Sequence, residues 1–146
     1  MFPGISLRLT PTVITSGFFA VAACACALPW QRFALSALSG LSAVNHATLH
    51  APYRGKRVVR VTDRALAHGI AAAQLWTFTG ASWRMLVTAP VASLLYVTCL
   101  GGAVAMFYVA YPKQGTPWHL HHAALHAVCA VGSVAFDVSA RKAIGF

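Results

Sequence analysis

Between Met85 and Tyr111 the chain runs 27 residues without a charged side chain. A helix of that length would measure about 40 Å, more than the ~30 Å hydrocarbon core of a bilayer. The chain has 146 residues, room for one compact domain, and a soluble domain of that size could not bury so long a run on every side. The composition agrees, since 58% of the residues are hydrophobic and only 9% charged, with a mean hydropathy of +0.66. Backbone polar groups in lipid must be satisfied within each segment, so the expected fold class is all-α, a polytopic transmembrane helical bundle.

Four more apolar segments accompany the long one. The expected spans are 13–29, 33–51, 61–79, 85–111 and 117–138, about five in all, forming a single integral membrane domain over 1–146. Pro29 is expected to end the first, Pro52 to close the second, and the sequence GASWR at 80–84 to form a short loop before the fourth. The first segment also has the look of a signal-peptide core, because ACACA offers small-residue cleavage positions. Gly40, Gly101 and Gly102 are expected to be close-packing points.

The net charge of +9 does not signal nucleic acid. The basic residues sit at segment ends, with no arginine-rich arm and no basic-aromatic interleaving. The densest basic loop is YRGKRVVR at 53–60, which the positive-inside rule assigns to the cytoplasm. Five spans then leave the N-terminus on the cytoplasmic side. Cys24, Cys26, Cys99 and Cys129 all lie within apolar segments, in spacings that match no zinc knuckle, and read as small packing residues.

Histidine is the costly residue here, because ionisable groups inside a membrane mark function. His122 and His126 stand four apart on one face of the last segment; His119 shares that face and His121 is turned away from it. Two imidazoles at this spacing can share a metal ion, but a zinc site needs a third ligand. The second segment offers Ser42, His46 and His50 in one stripe, with Asn45 beside it. It runs toward the 53–60 loop, and Asp63 leaves that loop on the third segment. With one span between segments three and five, all these groups fall at one depth on the cytoplasmic side.

His46, His122 and His126 are therefore the candidate zinc ligands, three neutral imidazoles with an open fourth position. Asp63 is the candidate general base and Ser42 a hydrogen-bonding partner of the Asp, the water or a developing oxyanion. Hydrolysis would proceed by attack of zinc-bound water. His68 is turned away from Asp63 and reads as structural, while Asp137 is expected to pair with Arg141, four residues on.

The ordered set Ser42-Ala-Val-Asn-His46, Asp63 at the head of the next helix, and His122-Ala-Ala-Leu-His126 resembles the CREST superfamily of membrane hydrolases. That superfamily comprises alkaline ceramidases, progestin/adipoQ receptors and hemolysin III proteins. The spacing from His46 to Asp63 looks closest to the hemolysin III–adipoQ receptor branch, shortened. The resemblance implies zinc on His46, His122 and His126, assistance from Ser42 and Asp63, and a membrane lipid amide such as a sphingolipid as substrate. The family usually has seven spans where this chain has room for about five, and a homo-oligomer is one way to complete the bundle.

Three other readings stay open. NHATLH and HLHH echo the histidine boxes of di-iron lipid desaturases and hydroxylases. Histidines on facing helices can also ligate haem. A non-enzymatic receptor-like or pore-forming protein would use its histidines only for hydrogen bonds.

Overall fold

Three helices begin on a proline, where the missing N–H costs nothing and φ is already helical. Pro11 opens α1 (Pro11–Ala25), Pro29 opens α2 (Pro29–Ala47), and Pro90 opens α4 (Pro90–Val104). The other two are α3 (Lys56–Thr88) and α5 (Trp118–Ile144). The computed structural model describes residues 10–48, 55–110 and 118–145; apart from caps and short connections these are helical, with no strand among them. His50 and Pro52 lie outside the described residues.

The prolines account for most departures from the expected boundaries. Pro29 starts α2 rather than ending α1, so Trp30-Gln31-Arg32 form a helical turn and the connection is only 26–28. The 80–84 loop does not exist. α3 continues through Gly80 to Thr88 in one 33-residue helix. A glycine inside a helix costs only about 1 kcal/mol relative to alanine, whereas the residue before a proline is driven out of the helical region. The break accordingly falls at Ala89, with φ −146° and ψ 62°. The fourth segment thus begins at Pro90 and runs into a π-helical turn at Ala105–Ala110. The last helix extends beyond 138 to Ile144.

Side-chain contacts fix the direction of each helix. Thr15 meets His126 and Ala27 meets Asp137, so α1 and α5 run the same way. Ser42 meets Ser16 and Gln31 meets Ser133, so α2 runs against both. Asn45 reaches Asp63 and Gln74 reaches Ser133, which aligns α3 with α5. Ser93 bonds Ser139 and Cys99 touches Gly132, so α4 opposes α5. The alternation is that of an up-and-down bundle. The His46 end of α2, the Asp63 end of α3 and the His122 end of α5 lie together, as the shared-depth argument requires.

Two apolar clusters fill the interior. Phe19, Ala22, Leu35, Leu38 and Ile70 form one, and Met85, Tyr96, Ala135 and Phe136 the other. α1 contributes to the first, so removing it as a signal peptide would strip the core. The close-packing glycine is not one of those expected. A Cβ on Gly40 or Gly101 would meet nothing within 4 Å, and on Gly102 only Val128 at 3.9 Å. On Gly132 it would lie 2.9 Å from Cys99 Cβ.

Among the described residues, two helices are long and apolar enough to cross a membrane, Pro90–Val109 and Trp118–Ile144. α1 is apolar but has only 15 residues. The face that α4 turns outward is apolar, with Val91 79% and Leu94 61% exposed.

Gly132→Ala should lower stability by about 1–3 kcal/mol, because Cys99 Cβ is tied to its backbone and cannot step aside. Gly101→Ala should be neutral or slightly stabilising. Denaturant unfolding of the two variants in detergent, followed by circular dichroism, checks the contrast.

Candidate metal centre

His46 is brought in by the last turns of α2, and His122 and His126 by the second and third turns of α5. One ring nitrogen from each lies within 4.8 Å of those of the other two. The ring centroids are 4.8 Å apart for His46–His122 and His122–His126, and 5.2 Å for His46–His126. His46 and His126 are 4% and 5% exposed. The structure therefore joins the three histidines singled out by spacing.

Their hydrogen bonding is incomplete. Both nitrogens of His46 and Nδ1 of His122 are buried without a partner. A buried polar group left unpaired costs free energy that folding alone would not retain. Tetrahedral zinc with Zn–N bonds of about 2.0–2.1 Å would set ligand nitrogens roughly 3.3 Å apart. The observed spread is wider by an amount that rotation of the rings can close. Three clustered imidazoles, two of them with unpartnered nitrogens, are thus a donor set that fits one divalent ion.

Around the triad the polar residues form a connected shell. Ser42 Oγ is 3.5 Å from His126 Nε2 and 3.2 Å from Ser16 Oγ. Asp63 is 8% exposed, and its Oδ2 accepts a 2.8 Å hydrogen bond from Asn45 Nδ2. Ser42 is thereby placed beside His126, and Asn45, next in sequence to His46, emerges as the residue that holds Asp63.

The other histidines separate cleanly. His68 Nδ1 donates to Arg64 O at 2.7 Å, which leaves Nε2 to accept from the Tyr108 hydroxyl at 3.0 Å. His121 Nε2 donates to Met106 O at 3.0 Å, in the π-helical turn. Both are pinned away from the triad. His119 is half-buried, with Nδ1 unpartnered, rather than turned to solvent or lipid.

Two neighbours were not anticipated from the sequence. Trp118 stacks on His122, with ring centroids 4.9 Å apart and planes at 15°. Its place four residues before His122 could have revealed it. Thr15 reaches His126 Nδ1 at 3.2 Å from α1. Asp137 stays out of the site. As expected it pairs with Arg141, whose Nε donates at 2.8 Å.

No protein-family model, curated protein or solved structure matches this chain.

Because the unpaired imidazole of His46 is a burden without an ion, His46→Leu should stabilise the metal-free protein by about 1–3 kcal/mol. The same variant should lose metal binding. Thermal unfolding in excess chelator, beside zinc titration, checks both halves.

Proposed function

We propose that the chain is a zinc-dependent intramembrane hydrolase of a lipid amide. The observation that carries this reading is the group of His46, His122 and His126, with unpaired ring nitrogens on His46 and His122, Ser42 beside His126, and Asp63 held by Asn45 next to His46. Three protein ligands suit a single catalytic zinc with an open position, whereas a di-iron centre would draw on more. Zinc bound there would supply an activated water and polarise a carbonyl.

The protein's own groups divide the remaining work. Asn45 holds one oxygen of Asp63, which orients the carboxyl to take a proton at the other. Ser42, 3.5 Å from His126 Nε2, would offer its hydroxyl to a developing oxyanion. Trp118 covers one face of His122 and restricts water on that side. Burial of the whole group strengthens each of these interactions.

The substrate class rests on the likeness to the CREST hydrolases and on the apolar exterior. The outward residues of α4 and the two long apolar helices support a protein set in lipid. In this reading all five helices span the membrane. Lys56, Arg57, Arg60 and Arg64 at the histidine end of α3 mark that end as cytoplasmic.

Elemental analysis of detergent-purified protein should find about one zinc per chain, lost in the His122→Ala/His126→Ala double variant. Iron, or no metal in folded wild type, would overturn the reading. Asp63→Asn should keep the zinc and lower amide hydrolysis by about 10²–10⁴-fold. A lipid-amide turnover assay beside the metal analysis separates the two effects.

A further inference from the structure

α1 carries a hydroxyl stripe that an apolar packing helix does not need. Thr12, Thr15 and Ser16 fall on one side of it, and Thr12 and Ser16 are fully buried. Ser16 Oγ donates to Thr12 O at 2.8 Å, a local bond within the helix. Thr15 does more. Its Oγ1 donates to Thr12 O at 3.4 Å and lies 3.2 Å from His126 Nδ1.

A hydroxyl has one proton. With that proton turned to the Thr12 carbonyl, the Thr15 oxygen accepts from Nδ1–H of His126, and Nε2 then holds the lone pair. The nearest partner of Nε2 is Ser42 at 3.5 Å, too far for a strong hydrogen bond. Ligation of a metal through Nε2 requires this tautomer, because the ligating nitrogen must hold the lone pair. Phe19, one turn on from Thr15, packs against the same ring, with centroids 5.2 Å apart.

We propose that Thr15 is a positioning residue of the metal centre, fixing His126 as the Nδ1–H tautomer so that it ligates through Nε2. The inference rests on the reading of the three histidines as a metal site. It adds a helix to that site, since the motifs that suggested it lie on α2, α3 and α5 alone. Ligating histidines in general rely on such an outer partner to set tautomer and ring orientation.

The experiment is zinc titration of full-length protein in detergent, using a competing chelator, for wild type, Thr15→Val, Thr15→Ser and His122→Ala. Thr15→Val keeps the shape of threonine and removes the acceptor. It should keep helix content and weaken zinc binding about 10–100-fold, and Thr15→Ser should restore it to within about threefold. Nitrogen-15 NMR of histidine-labelled, zinc-loaded wild type should show His126 protonated at Nδ1, a readout that needs no variant at position 15. Thr15→Val binding zinc like wild type while His122→Ala does not, or His126 ligating through Nδ1, would overturn this inference alone. Wild type that binds no zinc would overturn it together with the metal reading.

Discussion

The carboxyl of Asp137 ties the bundle together. It is fully buried on α5 and accepts from the backbone N–H groups of Ala27 at 3.0 Å and Leu28 at 2.9 Å, and from Arg141 Nε at 2.8 Å. Leu28 is the N-cap of α2 and has no side-chain cap of its own, so Asp137 supplies one from another helix. The negative group also sits at the positive end of the α2 dipole. This contact sets the α1–α2 turn against the far end of α5. From there α1 runs back alongside α5, and α2 returns with Ser42 and His46. Eleven residues separate Asp137 from His126, about 16 Å of helix, and that length sets the level at which Thr15, Ser42 and His46 arrive.

α5 is the helix that the others share. It is met by Gln31 of α2 and Gln74 of α3, both at Ser133. It is met by α4 at Gly132 and Ser139, and by α1 at His126 and Asp137. Small residues such as Gly132, Ser133 and Ser139 let backbones approach at these points. The polar side chains between them lock register. A one-residue slip of α5 would break the Asp137 cap and the Ser133 bridge at once.

How far this was legible in the sequence depended on whether the signal was local. His122 with His126 and Asp137 with Arg141 are four residues apart, and helical geometry alone brings each pair together. The meeting of His46 and Asp63 with the last helix followed from counting passes, because one helix separates α3 from α5 whatever its exact start. The boundaries failed where proline has two meanings. Pro29 is expected to end a segment and Pro90 falls inside the expected 85–111 span, while in the fold both are first helical residues. The 80–84 stretch failed because Gly80 looked like a turn, though nothing nearby forbids a helix. Gly132 and Thr15 were out of reach for another reason. Their importance comes from Cys99 and His126, 33 and 111 residues away in the chain, and no spacing rule connects them.

The two ends of the bundle are built to opposite standards. Far from the histidines, most polar groups are satisfied: Asp137 has three donors, Arg141 among them, and Ser93 is paired with Ser139. Among the described residues, six buried side-chain atoms lack a partner, and four of them belong to His46, His119 and His122. The other two, on Gln31 and Tyr96, lie toward the opposite end, Gln31 in the first turn of α2 and Tyr96 against Phe136. Unpaired atoms are thus concentrated on three neighbouring histidines, the arrangement expected where donors and lone pairs are held in place for something other than the protein. That asymmetry separates these histidines from polar residues that merely stitch helices together.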